Sequence, residues 1–252
     1  VRDRIRLRAG IRLALTTFTV LPVRAGRVDR PAAATAMALG PLVGAGLGAA
    51  LAGLLAGLTA LGAAPLLAAA LGLGGLALAT RGLHLDGLAD TADGLGCHGL
   101  PERARAVMRS PAIGPFGVAT LLLVLLAQAA ALASLATGRR WAAVGLGVVV
   151  GRLGIAWACR RSVPPARPDG LGALVAGTLP WYLPAAWTLA TGLLGYLARG
   201  WLGVVAVGLV LVLGMAGVAH TTRRFGGVTG DVLGAVSEAG TMLSWAVLAL
   251  TR

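Results

Sequence analysis

Residues 117–136 read GVATLLLVLLAQAAALASLA, twenty positions without a charge. As an α-helix rising 1.5 Å per residue, such a run reaches about 30 Å, the thickness of a bilayer's hydrocarbon core. Apolar runs of this kind recur from position 33 to the end. Hydrophobic residues fill 57% of the 252 positions and charged residues only 12%, about half the charged share of a soluble domain. An Ala-rich soluble bundle would need charged helix faces, and they are absent. The expected fold is all-α: a polytopic integral membrane helical bundle of about seven transmembrane helices. Its spans fall near 33–60, 63–80, 117–136, 141–159, 172–197, 201–220 and 236–251, and six or eight crossings also fit these soft boundaries. The high Gly and Ala content lets membrane helices approach closely. Pro180 and Pro184 predict a kink or break in the span 172–197.

Residues 1–32 form a basic N-terminal segment of what reads as a single membrane-embedded domain, 1–252. The stretch 5–21 is too short and too basic at its start to cross. It is expected to lie in the interface with Ile5, Leu7, Ile11 and Leu15 against lipid. Arg2, Arg4, Arg6, Arg8 and Arg12 precede a short apolar run that ends at Pro22 without the cleavage site of a signal peptide.

The net charge of +13 comes entirely from arginine. Under the seven-span map, seventeen of the 22 arginines fall on the side of the N-terminus. Arg139, Arg140, Arg199 and Arg252 fall on the other side, and Arg152 lies within a span. The positive-inside rule then places the N-terminus in the cytoplasm and the C-terminus outside. No nucleic-acid-binding module is visible, so membrane lipids and phosphorylated substrates are the expected anionic partners. A guanidinium such as Arg152, inside an apolar stretch, is costly unless it snorkels or finds an anion. Cys97 and Cys159 form no CxxC motif and imply no disulfide framework.

Three of the nine acidic residues lie within eight positions, in Leu83-His84-Leu85-Asp86-Gly87-Leu88-Ala89-Asp90-Thr91-Ala92-Asp93-Gly94. In a helix, Asp86, Asp90 and Asp93 share one face. Crowded carboxylates repel unless a cation neutralises them. Three hard oxygen donors suit Mg2+ or Mn2+ and so a phosphoryl-transfer site, whereas a solvated helix cap is the bland alternative. His84 is read as a donor to phosphate, as a partner that orients an aspartate, or as a plain junction residue.

Three further segments lie on the same side of the map. Met108-Arg109-Ser110-Pro111-Ala112-Ile113-Gly114-Pro115-Phe116-Gly117 brings Gly and Pro to the entry of a span. Arg109 is either a phosphate contact or a positive-inside anchor. Arg167 and Asp169 stand at a loop-to-span junction. Thr222-Arg223-Arg224-Phe225-Gly226-Gly227-Val228-Thr229-Gly230-Asp231 offers Arg223, Arg224 and Thr229 to phosphate and Asp231 to a metal. There Gly226, Gly227 and Gly230, like Gly87 and Gly94 in the aspartate segment, would let a ligand approach the backbone. This is not a Walker loop, because no Gly-Lys-Ser/Thr ending follows. Glu238 is either a supporting group for Asp231 or a cap of the last span.

Together these segments resemble the cobalamin synthase family, adenosylcobinamide-GDP ribazoletransferase, over essentially the whole chain. The most specific parts are Leu83 to Gly94 and Arg224-Phe225-Gly226-Gly227-Val228-Thr229-Gly230-Asp231-Val232-Leu233-Gly234, with Ile113-Gly114-Pro115-Phe116-Gly117 in support. An acidic residue is usual in the family just before this Ile-Gly. Here Ser110, Pro111 and Ala112 stand there, and no metal or base role is assigned to that loop.

The resemblance implies a multi-pass enzyme of the bacterial inner membrane with its active face toward the cytoplasm. It implies transfer of the adenosylcobinamide-phosphate moiety of adenosylcobinamide-GDP to the 3′-hydroxyl of α-ribazole or α-ribazole 5′-phosphate, with release of GMP. Asp86, Asp90, Asp93 and Asp231 would hold Mg2+, or Mn2+, and Asp93 is the preferred acceptor of the hydroxyl proton. Arg109, Arg167, Arg223 and Arg224 are the candidate phosphate contacts. Membrane lipids and, in a homo-oligomer, further copies of the chain complete the expected partners; nucleic acid is not among them. Two alternatives stand beside this reading. One is a phospholipid-forming CDP-alcohol phosphotransferase, whose Ala-Arg step Ala92-Asp93 replaces here. The other is a corrinoid or metal transporter, which predicts polar groups deep in several spans.

Overall fold

Glycines at the helix crossings set the architecture of the chain, seen in a computed structural model that describes residues 2–24 and 26–250 and leaves out the side chains of Arg2, Asp3, Arg4 and Arg6. The described residues form α1 (Arg2–Phe18), α2 (Arg30–Ala38), α3 (Gly40–Ala60), α4 (Pro65–Ala79), α5 (Leu83–Gly96) and α6 (Pro101–Val107). They continue with α7 (Pro115–Thr137), α8 (Trp141–Ala158), α9 (Gly170–Val175), α10 (Tyr182–Arg199), α11 (Trp201–Phe225) and α12 (Gly230–Ala249). The all-α expectation holds. Five of these helices, α3, α7, α8, α11 and α12, are long and apolar enough to cross a membrane, and six crossings result if α4 and α5 count as one bent span.

Several expected spans have different bounds. The run 33–60 is divided into α2 and α3, because Pro41 has no N–H to carry a helix across Leu39. The run 172–197 is broken as its prolines predict, into α9 and α10, with Gly177 left-handed (φ 69°) between them. The last helix starts at Gly230 instead of 236, because Thr229 caps it there. Glu238 therefore sits inside α12 and does not cap it. α4 and α5 meet at 91°. Arg81 (φ 56°) and Gly82 (φ 67°) both adopt left-handed backbone and make this turn.

α8 is the central helix. Its Gly147, Gly151 and Gly154 lie against Trp245, Thr241 and Val236 of α12, leaving no room for a Cβ. On another face Gly145 of α8 meets Gly48 of α3, whose Cβ would stand 2.5 Å from the Gly145 carbonyl oxygen. Where lipid replaces water around a bundle, such close backbone approach supplies much of the helix association.

The two ends of the bundle differ. At one, α5 lies against the starts of α7 and α12, and Arg224 at the end of α11 donates to the Cys97 carbonyl just past α5. At the other, Arg199 donates to the carbonyls of Leu248 (3.2 Å) and Leu250 (2.7 Å). In α1, Ile5, Leu7 and Ile11 are exposed and Leu15 is partly buried, while Leu13, Ala14 and Phe18 are buried. The side chains of Arg2, Arg4 and Arg6, and the whole of Arg252, lie outside the described residues.

Candidate active site

The aspartate segment folds as α5, which is too short to cross by itself and lies outside the five spanning helices. Its carboxylates have different surroundings. Asp86 is exposed, Asp90 half-buried and Asp93 buried. Asp86 and Asp90 accept no hydrogen bond from the protein's described residues, so both keep their oxygens free. Burial, reinforced by the charges of Asp86, Asp231 and Asp93, pushes the Asp90 carboxyl up to about 6.

Asp93 is committed to the protein. Its Oδ2 accepts from the Gly114 N–H (2.7 Å) and its Oδ1 from the Gly117 N–H (2.9 Å). Gly114 is the N-cap of α7, so a side chain of α5 caps that helix from outside. Early N–H groups of a helix lack intrahelical partners, and an anion there also meets the positive end of the helix dipole. A Cβ at Gly117 would stand 2.5 Å from Asp93 Oδ2, and one at Gly114 would collide with Oδ1. The Ile113-Gly114-Pro115-Phe116-Gly117 motif is the seat of this carboxylate.

Asp231 reaches the same place from the other end of the sequence. It occupies the first turn of α12, where Thr229 Oγ1 donates to its Oδ2 (3.1 Å) and accepts from the Val232 N–H (3.2 Å). The crossing of α5 and α12 is tight. A Cβ at Gly87 would stand 2.6 Å from the Asp231 carbonyl oxygen, and one at Gly234 would stand 3.1 Å from the Cα of His84.

Arg167 arrives through the third segment. The Val228 N–H donates to the Pro164 carbonyl (3.0 Å) and the Ala166 N–H donates to the Val228 carbonyl (3.0 Å). This pairing draws loop 160–169 beside α12. Arg167 faces Asp169 at 3.4 Å, and its charge also acts on Asp231. Asp86, Arg167, Gly230, Asp231, His84 and Phe18 help line a cleft of about 190 Å3.

The structure separates other expected site residues from this group. Arg224 is tied to Cys97, while Arg109 and Arg223 are exposed and have no hydrogen bond or ion pair among the described residues. The glycines expected to admit a ligand serve the protein's own packing. Gly94 faces Met108 and Phe225, Gly227 faces the Pro164–Ala166 backbone, and Gly230 faces Leu171. Gly226 ends α11 in left-handed backbone (φ 84°), the conformation that favours glycine there. His84 is buried and stacks on Phe18, with ring centroids 6.0 Å apart and 13° between the planes.

One group escaped sequence reasoning. Arg152 is fully buried and donates to Thr241 Oγ1 (3.3 Å) and to His84 Nδ1 (3.3 Å). Glu238 is its electrostatic partner and accepts from Gln128 Nε2 (3.0 Å). Arg152 was conspicuous as a lone charge in an apolar run. Its partners lie on two other helices, α5 and α12, and no spacing could reveal them.

The donor chemistry fits a hard divalent cation. Asp86, Asp90 and Asp231 are oxygen donors whose mutual repulsion a cation would relieve, and no soft ligand stands among them. Among the described residues no three His, Cys, Asp or Glu side chains are gathered around one point as a finished ligand set.

A family profile described as cobalamin-5-phosphate synthase matches residues 10–249. The chain is 45% identical over 244 residues to an adenosylcobinamide-GDP ribazoletransferase of Nocardioides sp. strain JS614, covering 95% of this chain and 99% of the relative. It is 40% identical over 262 residues to a protein of the same description from Frankia casuarinae (95% and 94% covered). With one from Corynebacterium efficiens it shares 39% over 257 residues (97% and 90% covered). No solved structure matches.

Proposed function

The chain belongs to the cobalamin-5-phosphate synthase family, and from that premise we propose that it is the adenosylcobinamide-GDP ribazoletransferase of its cell. The full-length similarity to relatives of that description carries the reading. Asp86 and Asp231 line one cleft, and both of their charges act on Asp90, which supports it.

The reaction joins the 3′-oxygen of α-ribazole, or of its 5′-phosphate, to the phosphorus that carries the cobinamide. The P–O bond to the guanylyl unit breaks and GMP leaves. Asp86, Asp90 and Asp231 would hold Mg2+ or Mn2+, which when bound neutralises charge on the diphosphate and stabilises the leaving phosphate. Arg167, beside Asp231, binds a diphosphate oxygen. Thr229 holds the Asp231 carboxylate in its rotamer. Asp93, preferred from sequence as the proton acceptor, gives up that role in this proposal. Both of its oxygens hold the start of α7, and it positions α5. Asp90, half-buried with free oxygens on the same face, takes the proton of the attacking hydroxyl. Arg109 and Arg223, exposed at this end, attract the anionic substrates from solution.

The topology proposed has seven crossings. α4 and α10 join the five long helices, α4 packed against α3 and α7 and α10 against α8 and α11. The cleft then opens to the cytoplasm, where nucleotide-linked substrates are found.

The test uses the full chain in lipid, with adenosylcobinamide-GDP, α-ribazole and Mg2+. GMP release that requires all three is expected. Absence of GMP release under these conditions sinks the activity, and full product formation in excess EDTA sinks the metal assignment alone.

A further inference from the structure

We propose that Arg152 is a positioning residue that holds His84 as its Nε2–H tautomer, so that this proton serves as a hydrogen-bond donor to a phosphate oxygen of the substrate. The inference rests on the phosphoryl-transfer reading above and extends it to the buried face of the same cleft.

A guanidinium has donors only. The imidazole nitrogen it faces, Nδ1 of His84, must therefore present a lone pair. In a neutral imidazole the proton then resides on Nε2. That Nε2 has no partner among the described residues, although it is buried. Buried polar groups in native structures nearly always have a partner, and one that lacks it points to a ligand. His84 lines the cleft together with Asp86, Arg167 and Asp231, which is where the substrate diphosphate is placed.

The ring is held from several sides. Phe18 of α1 stacks on its face. Arg152 fixes its Nδ1 edge, and Arg152 is itself fixed by Thr241 and drawn by Glu238. Gln128 of α7 orients Glu238. A charged group in the apolar middle of a bundle is expensive, and such groups most often serve function. The donor that results is preorganised on a buried ring, where one hydrogen bond to developing charge counts most.

The experiment uses the full chain in lipid nanodiscs with ring-15N histidine. The sequence has only three histidines, His84, His98 and His220, and His84→Phe identifies the signals of the first. The wild type is expected to show a protonated Nε2 and an unprotonated Nδ1 at His84. Arg152→Lys, which keeps a donor-only group, is expected to retain that pattern and most of the turnover. Arg152→Met combined with Glu238→Gln removes both charges together, so no unpaired charge remains buried. It is expected to give a mixture of tautomers. Its kcat should fall only a few-fold, in proportion to the lost Nε2–H form, with KM for adenosylcobinamide-GDP little changed. His84→Phe, which has no donor, should lose roughly 10²–10³-fold in kcat.

A proton on Nδ1 in wild-type protein that releases GMP overturns this inference and leaves the ribazoletransferase reading intact. So does wild-type kcat in His84→Phe. If the double variant does not accumulate in the membrane, the wild-type tautomer and the turnover of His84→Phe decide the matter. A wild type that releases no GMP sinks the reading of the activity instead.

Discussion

Gly87 lies directly against the backbone of Asp231, 144 positions later in the chain, so closely that a Cβ would stand 2.6 Å from the Asp231 carbonyl oxygen and 2.9 Å from its Cα. This contact is what puts Asp86 of α5 and Asp231 of α12 in one cleft. Gly87→Ala is expected to push the two helices apart and to lower turnover at least tenfold while the protein still inserts. Gly57→Ala is the control, since a Cβ at Gly57 meets nothing within 4 Å. It should leave turnover unchanged. Equal GMP release by Gly87→Ala and the control would show that the crossing tolerates more space than argued.

Asp231→Asn removes a charge with almost no change in shape. The Thr229 hydroxyl can still donate to the amide oxygen, so the cap of α12 survives. Turnover at saturating Mg2+ is expected to fall by orders of magnitude, with the melting temperature nearly unchanged. Near-normal turnover would reduce Asp231 to a structural residue.

Asp93 is expected to act through stability. Its two charge-assisted hydrogen bonds to backbone amides are worth about 1.5–3 kcal/mol each. Asp93→Ala leaves both amides without their partner and should lower the melting temperature markedly, even without substrate or Mg2+. Gly117→Ala, which places a methyl group 2.5 Å from Oδ2, should produce the same loss from the other side of the contact. A thermal scan of both variants in detergent checks this. If both melt like the wild type, the capping role is wrong.

Binding of Mg2+ or Mn2+ to the folded protein should raise its melting temperature in proportion to the logarithm of the ion's concentration. At a hundred times Kd the stabilisation is about 2.7 kcal/mol. Combining Asp86→Asn with Asp90→Asn should abolish the effect, because two carboxylates of the proposed ion site are lost. Persistence of the full shift in that double variant would place the ion elsewhere.

Sidedness can be read with the chain's own thiol. Cys97 follows α5 and is partly exposed, whereas Cys159 is buried. An impermeant thiol reagent should reach Cys97 from the cytoplasmic side of the membrane. In a Cys97→Ser background, Gly230→Cys should label from that side and Thr137→Cys from the opposite one. Labelling of positions 97 and 230 from different sides would dismantle the single cleft.

The sequence by itself determined the class of fold and the family to which the chain belongs. Apolar runs such as 117–136 need only length and composition to announce a helix in lipid, because each helix satisfies its own backbone. The carboxylates of Asp86, Asp90 and Asp93 are visible for the same local reason: helical periodicity alone puts them on one face. Residues 30–60 and 170–199 were less legible, since composition registers a hydrophobic total and does not locate the break that a single Pro or left-handed Gly makes. Tertiary structure alone decided how similar residues divide their work. Asp93 and Asp90 differ by three positions, yet Asp93 is spent on the amides of Gly114 and Gly117 while Asp90 stays free. Arg167 reaches the cleft, and Arg224 is tied to Cys97. His84 faces Arg152, 68 positions away. A side chain's hydrogen-bond partner depends on which helices cross and at what angle. That is fixed by contacts such as Gly87 on Asp231 and Gly151 on Thr241, between residues far apart in the chain.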